Sequence, residues 1–287
     1  MQRYWQTATI LGLFAASPTL ADRAHDLAAQ ASSQTTASCG NVTTLAGCHP
    51  GKPTGCSHSQ NPRYDPYLNF LKNQAPARDL VPDRALSREN FVELEDAIPG
   101  DLSTRNHADF ADALAGLGEG NIVSLVGFLY FVENTAVTSK HRGETCNCQL
   151  KTNPTFDFHL GLGFDADLAR QVRQHLVTHD PNNTGELEQT SIVAEMTPHT
   201  RDTKWTVSRL NQRALGRSVK VIGQLVADNA HVSEKDDCDF EDDPARPCWR
   251  ATVWEIHPVI QFLVCRNGAT CTDSSPNTDW ITLEELP

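Results

Sequence analysis

Two acid-x-His triplets, Asp157-Phe158-His159 and Glu255-Ile256-His257, carry the most chemistry in this chain of 287 residues. Both fall in runs with strand character. Side chains alternate between the faces of a strand, so each triplet presents a carboxylate and an imidazole on one side. Glu195 closes the run Ile192-Val193-Ala194, and Asp228 and His231 follow the run Val221 to Ala227. Strand ends of this kind are where loops gather binding groups on a rigid support. Imidazole nitrogen and carboxylate oxygen suit zinc, manganese or iron. Asp157, His159, Glu195 and His231 are therefore candidate ligands of a divalent ion (Zn, Mn or Ca), and a bound ion would make a nucleophile of water near neutral pH. In a metal-free version Glu255 and His257 act as acid/base groups, while Arg250 or Arg201 stabilises a developing oxyanion. The expectation is a metal-assisted hydrolase of phosphodiester or ester bonds. The competing expectation is a non-catalytic secreted module that binds a surface or matrix ligand; a third is an envelope assembly component. The bland alternative has weight, because a solvent-facing sheet is polar at every second position and 11 histidines generate such triplets readily.

Other motifs are weaker. His175 and His179 lie on or just after a helical stretch and suit a surface or helix end. Asp180 to Gly185 resembles the start of a calcium loop, but Ser191 stands where a bidentate Glu is needed, so a turn is expected. The acidic run Glu234 to Asp243 reads as a solvated loop with Cys238 and Cys248 at its ends. Neither a G-x-S-x-G elbow nor an H-E-x-x-H helix occurs. Asn41-Val42-Thr43 and Asn182-Asn183-Thr184 are sequons only in a glycosylating host.

Five strands are expected to position these groups: Ile122 to Val132, Phe156 to Phe164, Ser191 to Met196, Val219 to Ala227, and a long one from about Arg250 to Cys265, in which Pro258 marks an edge, bend or bulge. Two helices are interpolated. Asp165 caps one bearing Leu168, Val172 and Leu176, and Asp202 precedes one bearing Val207, Leu210 and Ala214. The order β, β, α, β, α, β, β suggests a mainly β, α+β fold, a small OB-like five-stranded barrel. The absence of a glycine-rich strand-to-helix turn argues against a dinucleotide fold. Residues 62–120 read as a helical lead-in, with Ser87 as a cap and a segment Asp109 to Leu117 stopped by glycines. Residues 22–61 read as an irregular Cys-containing arm and 272–287 as a tail.

The first residues resemble a secretory signal: Arg3, an apolar stretch Ala8 to Ala16, and Thr19-Leu20-Ala21 as a cleavage site, giving residues 1–21. The apolar stretch is shorter than the roughly 20 residues that span a bilayer, and no later segment qualifies. Nine cysteines suit an oxidising compartment, hence a secreted or periplasmic product. Cys238 with Cys248 and Cys265 with Cys271 could each close a small loop, and the odd count leaves one thiol over. The net charge of -12, with no basic cluster, disfavours non-specific nucleic-acid binding. Spacing leaves the oligomeric state open.

Taken together, Gly127-Phe128-Leu129, Asp157-Phe158-His159, the run Ala194 to Pro198, the stretch Gly223 to Asp228 with His231, and Trp254-Glu255-Ile256-His257-Pro258-Val259 resemble a group of uncharacterised, mostly bacterial proteins sharing a W-E-I-H-P-V strand. The resemblance covers Asn121 to Cys265. It implies a common domain and carries no mechanism.

Overall fold

The computed structural model describes residues 42–48, 52–56, 62–134, 143–180, 185–241, 247–266 and 270–287. The signal-like segment, most of the amino-terminal arm, Asn41 and the 182–184 sequon lie outside these residues.

Seven strands form one sheet: β1 (Arg84–Leu86), β2 (Ile122–Asn134), β3 (Phe158–Gly163), β4 (Ile192–Met196), β5 (Ser218–Ala227), β6 (Trp254–Cys265) and β7 (Trp280–Thr282). β2 is long enough to serve two neighbours. Ile122 to Phe128 pairs antiparallel with β5, and Phe128 to Asn134 pairs antiparallel with β3. β3 then pairs with β4, β4 runs parallel to β6, and β6 returns antiparallel to β5. The circuit β2-β3-β4-β6-β5-β2 closes the expected OB-like barrel, which removes the unpaired edges of its five strands. β1 and β7 are additions, β1 lying parallel to β2 and β7 antiparallel to β6. The register of β5 against β6 shifts around Gly223, opposite Pro258 and Val259. Proline cannot donate to the ladder, so the irregularity falls where the sequence requires it.

Strand alternation sorts the residues cleanly. Phe158, Leu160, Leu162, Ala194, Met196, Trp254 and Ile256 belong to one buried core with Val221 and Leu225. The intervening positions, His159, Glu195, Glu255 and His257, therefore lie on the outer wall of the barrel.

Among the described residues seven helices surround it: α1 (Leu45–Cys48), α2 (Pro66–Lys72), α3 (Arg88–Asp96), α4 (Ala111–Leu117), α5 (Ala166–Arg173), α6 (Glu186–Gln189) and α7 (Val207–Arg213). In the lead-in, Asp65 caps α2 by accepting from the Tyr67 and Leu68 amides, and Ser87 with Asn90 forms a capping box on α3. Gly118, with φ of 108°, ends α4 in the left-handed region. α2 packs Tyr67, Leu68 and Leu71 against Val226 on the outside of β5. Asp202 precedes α7 as expected, accepting from the Lys204 amide, and Thr206 caps the helix by accepting from the Arg209 amide. One helix expectation needs correction. Leu176 lies beyond the end of α5 and is 70% exposed, because His175 turns the chain away with φ of 56°. The carboxyl-terminal stretch is more than a tail: it supplies β7 and puts Leu283 and Leu286 in the core.

Disulfides join Cys48 to Cys148, Cys238 to Cys248 and Cys265 to Cys271, and Cys56 is also disulfide-bonded, whereas Cys146 is a thiol. Among the described residues no helix is long and apolar enough to cross a membrane.

Candidate functional site: a charge cluster under the lead-in

Adjacent strands bring the outward carboxylates and imidazoles into one row. His159 of β3 stands opposite Glu195 of β4, and β4 lies beside β6, where Glu255 and His257 follow one another on the same face. Asp228 ends the row at the last turn of β5, and Asp157 begins it just before β3. Three segments roof this wall. α2 contributes Lys72, the segment 143–157 between β2 and β3 contributes Glu144 and Cys146, and the segment between β5 and β6 contributes Arg250.

Glu195 is the centre. Its Oε1 accepts from His159 Nε2 at 3.1 Å and its Oε2 meets His257 Nδ1 at 3.0 Å. The same His257 Nδ1 lies 3.2 Å from Glu255 Oε1. Lys72 Nζ bridges Asp228 and Glu255 at 2.9 Å each, and Arg250 Nη1 reaches Glu255 at 3.1 Å and Asp228 at 3.4 Å. On the far side, the Cys146 thiol donates to Asp157 Oδ2 at 3.8 Å, and the Glu144 carboxylate accepts from the Asp157 amide. His257 Nε2 faces Asp157 Oδ2 at 3.9 Å. Asp157 Oδ1, His257 Nε2, and Arg250 Nε and Nη2 are buried without a hydrogen-bond partner in the protein.

Burial sets the electrostatics. Asp228, Arg250, Glu255 and His257 are all 0% exposed, Asp157 1% and Glu195 3%. Burial alone would depress the pKa values of His257 and His159, but Glu195 beside each raises both to about 10. Burial would likewise raise the Glu195 carboxyl, and His159, Lys72 and His257 instead hold it well below the usual range. Asp228 is held low in the same way by His231 and Lys72 against its burial. At the other end His159 and Lys72 act on Glu144 and Cys146 but do not offset burial and the neighbouring carboxylates. Burial and then Asp157 push Glu144 up to about 8, and burial with Asp157 and Glu144 pushes the Cys146 thiol far up. The cluster thus has one half in which Lys72 and Arg250 pair with carboxylates and another in which Glu144 and Cys146 stand beside Asp157.

Of the residues singled out in sequence, Asp157, His159, Glu195, Glu255, His257 and Arg250 are brought together. His231 is placed differently. Its Nδ1 contacts Asp228 at 2.6 Å and its Nε2 contacts Arg63 at 3.0 Å, on the side of Asp228 away from Asp157. It belongs to none of the described groups whose ligand atoms lie within 4.8 Å of one another, which are Glu144-Cys146-Asp157, Asp157-Glu195-His257 and Glu195-Asp228-Glu255. The last of these already holds Lys72 and Arg250. Arg201 also falls away from the role of oxyanion donor, because its guanidinium is spent on the carbonyls of Phe156, Met196 and Pro154. The sequence reading missed Lys72, Glu144 and Cys146. The odd cysteine count was a signal for Cys146; for Lys72, 156 residues from Asp228, none existed.

Chemically, the arrangement can hold charge and protons around largely buried carboxylates, with the His159 side chain 14% and the Lys72 side chain 9% exposed. No protein-family model, no curated protein and no solved structure matches the chain.

Proposed function

We propose that this protein is an exported, non-catalytic OB-like module that binds a surface or matrix ligand, with the charge cluster acting as an internal clasp that fixes lead-in and loops to the barrel. One observation carries the reading: the cluster is sealed, its central carboxylates, guanidinium and His257 at 3% exposure or less. A hydrolase needs its nucleophile and general acid in reach of substrate. OB-like barrels commonly offer the wall around their second and third strands to ligands, and here that wall is covered by the chain itself. A ligand therefore docks on the outer loops or on the roof. The disulfides support export to a periplasmic or extracellular compartment, where such bonds persist.

The second reading, metal-assisted hydrolysis, is favoured by the unpartnered atoms of Asp157 and His257. Assay of the full chain on activated carboxylic and phosphodiester substrates, with zinc, manganese or calcium, separates the two. The clasp reading expects no turnover above the ions alone, together with a lower unfolding midpoint for the double variant His159→Ala, His257→Ala. Turnover that disappears in a folded His257→Gln variant would establish the hydrolase instead.

A further inference from the structure

We infer that the Asp157 end of the cluster is a closed zinc site, with Cys146 Sγ, Asp157 Oδ2 and His257 Nε2 as ligands and Glu144 as the fourth. This ligand set differs from the Asp157, His159, Glu195 and His231 set expected from sequence, and it goes beyond the clasp reading, which holds with or without an ion.

Three independent features converge on the same point. First, Glu144, Cys146 and Asp157 each offer an atom within 4.8 Å of the others, and Asp157 Oδ2 lies 3.8 Å from Cys146 Sγ and 3.9 Å from His257 Nε2. The edges of a tetrahedron around zinc, with bonds of about 2.0 to 2.3 Å, are roughly 3.3 to 3.8 Å, so Asp157 Oδ2 stands near ligand spacing from both Cys146 and His257, and an ion would draw His257 and the Glu144–Cys146 pair together around it. Secondly, His257 Nε2 is a buried polar atom with no hydrogen-bond partner among the described residues, on a side chain 0% exposed, and it faces the Asp157 carboxylate. Leaving such an atom unsatisfied is costly, and an ion between it and Asp157 removes the cost. Thirdly, the other imidazole nitrogen is already oriented. His257 Nδ1 meets Glu195 at 3.0 Å and Glu255 at 3.2 Å, the carboxylate-to-imidazole support that directs Nε2 of a metal-bound histidine toward its ion. Glu144 is steadied by Asn147 Nδ2 at 2.5 Å and by the Asp157 amide.

The donor types choose the metal. A thiolate and an imidazole beside two carboxylates suit zinc over calcium or magnesium, which take all-oxygen shells. Four protein ligands leave no open position, so the ion is structural. It ties the 143–157 segment, through Glu144 and Cys146, to β6 through His257.

Metal analysis of the full chain, purified without chelator from zinc-containing medium, tests the assignment. The expected result is about one equivalent of zinc, falling at least about tenfold in Cys146→Ser, Asp157→Asn and His257→Gln and unchanged in His179→Gln, which lies outside the site. Replacement by cobalt(II) in the wild-type chain gives a second readout that needs no variant to fold: a near-ultraviolet thiolate-to-cobalt charge-transfer band. Folded wild-type protein with less than about a tenth of an equivalent of zinc overturns the proposal, leaving an Asp157–His257 ion pair in its place. So does bound cobalt without the thiolate band. Neither result touches the turnover assay that tests the clasp.

Discussion

Glu255 shows how much hangs on single side chains. Its fully buried carboxylate meets Lys72, Arg250 and His257, all within 3.2 Å. Removing one partner of a buried ion pair strands the others, at a cost of about 3 to 5 kcal/mol. Glu255→Gln is therefore expected to lower stability in urea denaturation by about that much, whereas Glu234→Gln, in the solvent-exposed acidic loop, changes it by less than about 0.5 kcal/mol. A second change belongs at this scale. A Cβ on Gly163 would lie 1.8 Å from the Tyr130 ring and one on Gly161 2.0 Å from the Phe131 ring, so alanine at either position forces the rings aside, at about 1 to 3 kcal/mol on the same measurement. The acid-x-His triplets were legible because strand alternation is local: once Leu160 and Ile256 face inward, His159 and His257 face outward. Lys72, Glu144 and Cys146 were not, because each arrives from another segment and carries no mark of its destination. Arg201 illustrates the converse, a cation near the right strands that serves backbone carbonyls.

Elements followed the same division. The five barrel strands and the lead-in helix on Ser87 announce themselves through β-branched alternation and capping chemistry. β1 and β7 are three residues each and owe their existence to pairing with β2 and β6, a tertiary effect that no local pattern carries. The Thr206 cap of α7 was not legible, because only the loop path sets Asp202 on the Lys204 amide and Thr206 on the Arg209 amide inside the helix. Linkage by disulfides also acts on elements. The Cys48–Cys148 bridge closes a separation of 100 residues and the Cys265–Cys271 bridge one of 6. Loop-closure entropy makes the longer link worth roughly twice the shorter. Paired alanine substitution of Cys48 and Cys148 is expected to lower the unfolding free energy by about 4 to 5 kcal/mol, and that of Cys265 and Cys271 by about half as much, as read by guanidinium denaturation.

For the molecule as a whole, several groups outside the clasp bind protons more tightly when folded than when unfolded. Burial, with Asp237 beside it, raises Glu95 to about 8 from an ordinary value of 4.5. Burial alone would lower His179, yet Glu133 and Glu188 outweigh it and raise the imidazole to about 9 from 6.5. Both shifts have the same sign for stability. Glu95 is neutral in the fold and ionised in the unfolded chain between these values, so its contribution declines as pH rises from about 4.5 to about 8. The His179 contribution is complete below pH 6.5 and is lost as pH climbs through about 9. The urea midpoint is therefore expected to fall from mildly acidic to alkaline solution. Glu95→Gln should flatten the acidic part of that slope and His179→Asn the alkaline part; equal slopes in both variants and the wild type contradict the assignment.

The Cys48–Cys148 bridge has a further consequence when the chain meets a protease. Between α2 and β1 the backbone passes through Leu80 and Val81, the latter 83% exposed, on a stretch with no helix or strand. A single cut there divides the polypeptide, yet the two pieces remain one covalent body, since Cys48 lies before the cut and Cys148 after it. Nicked material should run as a single band on a non-reducing gel and as two bands once thiol reagent is added, with its native shape kept until then.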